Sequence, residues 1–460
     1  MKTYALILAA GKGTRMKSEL PKCAYPILKK PMIEYIIENI EKSEIEEIVV
    51  VVGYKKEVFY DMLSSRVKFT VQAEQLGTGH AVLSAQNALL GEKSQVFIFP
   101  GDMPLISSEL INQALSAHSE MGNDLTIISA INSSPAGYGR IVRNKYGNIT
   151  SIVEDIDCNE MQKEIKEINT GAYIVNTKHL FRELKNVTLN KRKGEYYLTD
   201  IVALMHQKYK VGSYALENSE EVMGINDLYQ ISLAEKYLRL EINKKLMLSG
   251  VSIVNPETIT IGHNVVVEPG ATVYPNTTIT GHSLISCGAI IGPNTEIHES
   301  IIHAGAKISH SLVYDSEIFE NTTVGPFAHL REHAIIGANN RIGNFVEVKK
   351  SQTGTNTKAS HLIYIGDALV GNDVNFGCGS VTVNYDGVKK NQTKIGNDVF
   401  VGCNVNLIAP ISIEDNVFIA AGSTVTKDIP KGAFAIARNR QINKEDYAKN
   451  LIHPKPPQNI

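Results

Sequence analysis

Residues 261–297 read IGHNVVVEPGATVYPNTTITGHSLISCGAIIGPNTEI. Within them Ile261, Val267, Val273, Ile279, Ile285, Ile291 and Ile297 fall six apart, a small residue often follows, and Pro, Gly or Asn recurs in the intervening turns. A period of six fits neither a helix face, with its repeat of roughly 3.6, nor the alternation of roughly two in a hairpin array. It suits a coil of triangular cross-section, with one short strand per side and an aliphatic side chain pointing inward at each step. The phase slips by five at Ile302 and is interrupted near Val313. It resumes at Ile318, Val324, Leu330, Ile336, Ile342 and Val348, then at Val370 and Phe376, and finally at Ile395, Val401, Leu407, Ile413, Ile419 and Val425. So many in-phase positions make chance implausible. Residues 350–368 and 381–394 break the phase, and they are expected to be bulges or loops that leave the coil and carry chemistry.

Up to about residue 226 the pattern changes to short β-rich runs, Ile48–Val52, Val96–Phe99, Leu125–Ala130 and Ala172–Val175, with amphipathic stretches between several of them. This predicts a doubly wound α/β domain, whose ligands bind beyond the carboxyl ends of the strands. Asp102, just after the strand ending at Phe99, stands at that rim. Asn226 or Asp227 can cap a helix in which Leu228, Ile231, Ala234, Leu238, Ile242 and Leu246 recur at helical spacing. The expected organisation is therefore an α/β domain over 1–226, a linking helical arm over 227–249 and a coil over 250–460.

The string Leu8-Ala9-Ala10-Gly11-Lys12-Gly13-Thr14-Arg15-Met16, with Pro21-Lys22 after it, joins a buried strand to a Gly-rich loop bearing cations. Gly11 and Gly13 let backbone N–H groups approach phosphate oxygens, and Arg15 and Lys22 offer charge to a polyphosphate. The string departs from both the P-loop and the G-x-G-x-x-G dinucleotide fingerprint.

The 460 residues exceed one ordinary core, and the net charge of −2 gives neither a nucleic-acid footprint nor a polybasic membrane patch. Five scattered cysteines without C-x-x-C spacing indicate neither a disulfide framework nor a zinc site, and they fit a reducing cytoplasm. The apolar run after Lys2 is too short, and wrongly followed, for a signal peptide, and no stretch approaches the roughly 20 apolar residues that span a bilayer. Residues 454–460 are expected to be mobile.

The amino-terminal string resembles the L-x-x-G-x-G-T-R-M-x-x-x-x-P-K signature of the sugar-nucleotide pyrophosphorylases, and the hexads resemble the left-handed parallel β-helix of acyltransferases. Together with the helical arm they are similar, over essentially the whole chain, to the bifunctional family that acetylates glucosamine 1-phosphate and then uridylylates the product to UDP-N-acetylglucosamine. That resemblance implies UTP and UDP-sugar contacts at Leu8, Ala9, Ala10, Gly11 and Lys22. It implies a uracil loop in Gln72-Ala73-Glu74-Gln75-Leu76-Gly77-Thr78-Gly79-His80-Ala81, through Gln72, Gly77 and Thr78, and sugar contacts at Gly139, Glu154 and Asn169. Asp102 and Asn226 correspond to ligands of a magnesium ion, although Asn226 by itself could equally be the cap of the helix.

In the second half the resemblance implies that His361 is the general base, with Arg331 and Lys349 as phosphate clamps and Tyr364 and Asn375 lining the acceptor pocket. An amine nucleophile must lose a proton before it attacks a thioester, and imidazole suits that task near neutral pH. Acetyl-CoA contacts fall on Cys378, Asn384, Tyr385, Cys403, Ala421 and Arg438, where Cys378 and Cys403 replace the family's common Ala and Ser. A homotrimer with shared acetyl sites is implied too. The alternative, a single-activity pyrophosphorylase with the coil as scaffold, leaves His361 and Lys349 without a task, and a non-catalytic sensor leaves Arg15, Lys22, Asp102 and Asn226 unexplained.

Overall fold

The computed structural model describes residues 1–63, 65–89, 94–190, 193–217 and 219–452; the expectation for residues 454–460 lies outside them. The chain divides into two compact units, 1–238 and 239–460.

The first unit is built on a nine-stranded sheet. Its strands are β1 (Lys2–Leu8), β2 (Glu47–Val52), β3 (Lys68–Val71), β4 (Ser94–Pro100), β5 (Leu125–Ile131), β6 (Gly139–Arg143), β7 (Ile149–Val153), β8 (Glu167–Asn176) and β9 (Val211–Leu216). Their order is β9-β5-β8-β4-β1-β2-β3, with the β6–β7 hairpin attached to β8. Strands β1 to β4 pair in parallel, whereas β8 runs antiparallel to both β4 and β5. Alternation along β1 explains the two covered faces: Ala5 and Ile7 enter one apolar cluster with the helices Met32–Glu41 and Ser108–Met121, while Tyr4 and Leu6 enter another with Thr78–Ser84, Thr177–Leu184 and Asp200–His206.

In the second unit each turn of the coil lays one strand on each of three parallel stacks. Ile253, Val273 and Ile291 follow one another on one stack, Ile261, Ile279 and Ile297 on the second, and Val267, Ile285 and Ile302 on the third. This is the left-handed parallel β-helix that the hexads predict, and its inward positions form one continuous apolar cluster.

One expectation needs correction. Residues 350–368 do not leave the coil: Gln352–Thr353, β11 (Lys358–Gly366) and Ala368–Val370 are strands of it, and β11 pairs along its length with β10 (Arg341–Lys349). The phase looked broken because Thr353 and Ala359, both buried, take inward places that aliphatic residues hold elsewhere. Residues 384–392 do leave the coil, between the strands Val381–Val383 and Thr393–Ile395.

The helix Leu228–Leu248 crosses the division between the units and is packed at both ends. Ile231 and Ala234 join a cluster with Met16, Ile27 and Met32. Asn243, fully buried, donates to the carbonyl oxygens of Pro256 (2.8 Å) and Ile259 (2.9 Å), which caps the first turn of the coil.

Candidate active sites

At the carboxyl edge of the first sheet, Leu8 of β1 pairs with Pro100 of β4, and the Gly101 N–H donates to the Leu8 carbonyl at 3.0 Å. A Cβ on Gly101 would lie 2.7 Å from that oxygen and 2.8 Å from the Cys23 sulfur, so only glycine lets the two strand ends leave side by side. Burial and the Asp102 charge push the Cys23 thiol up to about 12, which keeps this sulfur protonated beneath the site. Gly13 adopts φ +70°, and a Cβ there would meet the Lys22 Cβ at 2.5 Å; Gly11 faces open space. The loop thus packs Lys22 inward and leaves room over Gly11.

A cleft of about 430 Å³ opens at this edge, and Leu8, Ala10, Gly11, Lys22, Gln72, Gly77, Thr78, Asp102, Glu154 and Asn169 all line it. Ala9 does not: it is buried and donates its N–H to Val51. Gly139 pairs in register with Asn169 at the cleft's border. Gln72 is buried, and its amide nitrogen donates to the Gly77 carbonyl (3.0 Å) and contacts His80 Nδ1 (3.2 Å), which leaves its carbonyl oxygen for a ligand. Asn169 Oδ1 accepts from the Gly171 N–H and the Tyr173 hydroxyl at a bulge in β8. Burial pushes the Glu154 carboxyl up, and the Thr199 hydroxyl, which donates to it at 3.0 Å, opposes that shift.

Asp102 and Asn226, 124 positions apart, meet on one cation. Lys22 Nζ forms an ion pair with Asp102 and donates to Asn226 Oδ1 at 2.8 Å, and Arg15 donates to the same oxygen at 2.7 Å. The Ile225 N–H donates to the Asp102 carbonyl at 2.9 Å and fixes the two segments together. Asp227, not Asn226, caps the helix, by accepting from the Gln230 N–H at 2.8 Å. One carboxylate and one amide oxygen converging on a point already held by a positive charge suit a small divalent ion that completes its shell with water and phosphate.

In the coil, β10 and β11 each bend at a left-handed residue, Phe345 (φ 57°) and Leu362 (φ 52°). Just before the bends, Asn344 and His361 lie opposite each other, and Asn344 Oδ1 is 2.6 Å from His361 Nδ1. The amide oxygen can only accept, so the proton sits on Nδ1 and the Nε2 lone pair is available. Beyond the bends, Glu347 lies opposite Tyr364, and Arg331, Lys349 and Gly366 stack in register. Arg331 pairs with Glu347 at 2.6 Å and with Glu332. Lys349, buried, pairs with Glu332 (3.3 Å) and Asp367 (3.4 Å), and Asn384 donates to Asp367 at 2.6 Å and to the Tyr364 hydroxyl at 3.3 Å. The Lys390 ammonium lies against Lys349, and that neighbouring charge, with burial second, holds it below the usual lysine range. Asn375 stacks between Lys358 and Phe400. Tyr385 is exposed at the start of the excursion.

Ladder bonds place Cys378 opposite Cys403, and Cys403 opposite Ala421: Gly377 N–H donates to Val401 (2.7 Å), Asn404 N–H to Cys378 (2.8 Å) and Gly422 N–H to Cys403 (2.8 Å). A Cβ on Gly422 would lie 3.7 Å from Arg438 Cδ, which puts Arg438 beside this row. Sequence reasoning missed Glu195 and Thr199 in the first cleft, which no motif marks, and Asn344, Glu347 and Asp367 in the second site. The register of Asn344 against His361, seventeen residues on, was the one available signal for the imidazole's partner.

Family models match at three places: a MobA-like NTP transferase domain over residues 5–193, a GMPPB C-terminal domain over 261–364 and the bacterial transferase hexapeptide over 392–427. Full-length relatives named bifunctional protein GlmU include that of Acholeplasma laidlawii, 64% identical over 456 residues, with 99% of each chain covered. Those of Exiguobacterium sp. (45% over 450 residues; 98% of this chain, 100% of the relative) and Streptococcus thermophilus (44% over 456; 99% of each) align equally completely. With a nucleotidyltransferase unit and a hexapeptide coil in one polypeptide, this chain belongs to the bifunctional GlmU family.

Proposed function

We propose that this bifunctional transferase, which acetylates glucosamine 1-phosphate from acetyl-CoA and then transfers a uridylyl group from UTP to give UDP-N-acetylglucosamine and pyrophosphate, runs the two steps at the two sites described. The observation that carries the uridylyl reading is the meeting of Arg15, Lys22, Asp102 and Asn226 at the rim of the cleft. Gln72 and the Gly77–Thr78 turn hold the base, Gly11 admits the phosphates, and Glu154, Asn169 and Gly139 meet the sugar. A magnesium ion held by Asp102 and Asn226 would add positive charge at the phosphates. Arg15 and Lys22 neutralise the α-phosphoryl group while the sugar phosphate attacks in line, so the protein contributes positioning and charge rather than a covalent intermediate.

In the coil, His361 Nε2 takes the proton from the substrate ammonium group. The freed amine attacks the thioester carbonyl, the C–S bond breaks as the new amide forms, and the nitrogen's second proton passes to the departing sulfur, so that CoA leaves as its thiol. Arg331 and Lys349 hold the acceptor phosphate, Tyr364 and Asn375 line its pocket, and the row Cys378, Cys403, Ala421 with Arg438, beside Asn384 and Tyr385, meets acetyl-CoA.

The active form is a homotrimer in the cytoplasm. Support comes from the exposed row Phe327, Phe345 and Leu362 along one corner of the coil, with Phe327 and Phe345 stacked at 5.4 Å, and among the described residues no helix is long and apolar enough to cross a membrane. Glucosamine 1-phosphate, acetyl-CoA, UTP and magnesium should together release both CoA thiol and pyrophosphate; release of pyrophosphate alone, with N-acetylglucosamine 1-phosphate supplied, would reduce the coil to a scaffold. Sedimentation equilibrium should give three times the chain mass.

A further inference from the structure

Cys378 and Cys403 are both free thiols, one partly exposed and the other exposed. The ladder bonds on either side fix them directly opposite each other on consecutive turns. Neighbouring strands lie about 4.8 Å apart, inside the window of roughly 4.4–6.8 Å between Cα atoms that a disulfide requires. The position lies one turn from the strand of His361, since the Gly379 N–H donates to the carbonyl of Leu362 at 3.0 Å. On the donor-site reading given above, on which this inference rests, a thiol ligand is released beside these two sulfurs at every turnover.

We propose that Cys378 and Cys403 form a thiol-pair modification site for low-molecular-weight disulfides of the CoA class, and that closing the pair blocks acetyl transfer. The Cys403 thiolate attacks one sulfur of the disulfide R–S–S–R, forming Cys403–S–S–R and expelling the first thiolate. The Cys378 thiolate then attacks the Cys403 sulfur, and the second thiolate leaves. Two protein thiols lose two protons and two electrons, and the added disulfide becomes two thiols. Cys403, the more exposed, takes the first attack, and the opposed Cys378 resolves it. The intramolecular bond strips the row of the conformation that the donor needs.

The experiment treats the intact enzyme with CoA disulfide and follows it by intact-mass and peptide mapping, with each acetyl-transfer rate compared with the same protein's own reduced rate. The expected course is transient addition of one CoA, then a protein 2 Da lighter with Cys378 and Cys403 joined, loss of more than nine-tenths of acetyl transfer, unchanged uridylyl transfer and recovery with dithiothreitol. Cys378→Ala should stop at the mixed disulfide, and Cys403→Ser should form no bridge. Modification confined to exposed Cys287, or no adduct in the parent, overturns the proposal while the donor-site reading stands. A joined pair with acetyl transfer unimpaired overturns the inhibition and the donor-site reading together. Equal fractional inhibition in the parent and in a variant carrying both Cys378→Ala and Cys403→Ser also overturns it.

Discussion

Asn226 and Asp227 are neighbours in the chain with separate tasks. Asp227 Oδ1 accepts the Gln230 N–H and starts the helix, whereas Asn226 Oδ1 accepts from Arg15 and Lys22 at the rim of the cleft. The sequence leaves either residue free to be the cap; the geometry separates them.

This separation can be tested by alanine at each position. Asp227→Ala should cost about 1 kcal/mol, the usual price of a lost N-cap, and should lower the Tm by about 2–4 °C with uridylyl transfer largely kept. Asn226→Ala should keep the Tm and lose most uridylyl transfer. Thermal melts and pyrophosphate release on both variants check this, and a reversed pattern would assign the site to the wrong residue.

Asp102→Asn keeps the shape of the side chain and removes the anion that pairs with Lys22. Uridylyl transfer should fall at least a hundredfold, as expected when a charged group at the reacting phosphates is lost. Acetyl transfer should hold, because its residues all lie in the coil. A comparable fall in both rates in a folded variant would refute two independent sites.

How legible was this in the sequence? The inward aliphatic residues of the coil repeat every six positions, so most of its turns could be numbered before the fold was known. The turns around Thr353 and Ala359 could not, because a buried threonine and a buried alanine do the work of Ile or Val there, and a hydrophobic period cannot see them. The glycine-rich loop after β1 was legible because its glycines and cations are contiguous. The pairing of Lys22 with Asn226, 204 positions away, has no local trace. The carboxylates that hold Arg331 and Lys349 in place, Glu347 and Asp367, are ordinary acidic residues in sequence and gain meaning only when successive turns stack.

Glu154 gives a test in which stability and binding move apart. Burial raises its folded-state pKa above the unfolded value of about 4.3, so the ionised carboxylate opposes folding at neutral pH, and this cost fades as pH falls and the group is protonated in both states. Glu154→Gln keeps an oxygen to accept from Thr199 and should therefore raise the Tm at pH 7.5, with the gain narrowing as pH is lowered toward 4. The same variant should raise the KM for N-acetylglucosamine 1-phosphate. A lower Tm at pH 7.5 would show that the carboxylate is stabilised rather than strained by its surroundings.

His361 carries the most direct test of the second activity. With its Nδ1 proton committed to Asn344, only Nε2 can accept the proton that the substrate ammonium must lose. His361→Ala should therefore cut acetyl transfer by roughly 10²- to 10⁴-fold, the usual span for a positioned general base. Asn344→Ala should fall by less, because the imidazole survives but turns freely between tautomers and orientations. Uridylyl transfer, supplied with N-acetylglucosamine 1-phosphate, should run normally in both. Should folded His361→Ala acetylate at the parental rate, the proton would have to leave through another group, and the pairing of Asn344 with His361 would be a strut of the coil rather than the orientation of a base.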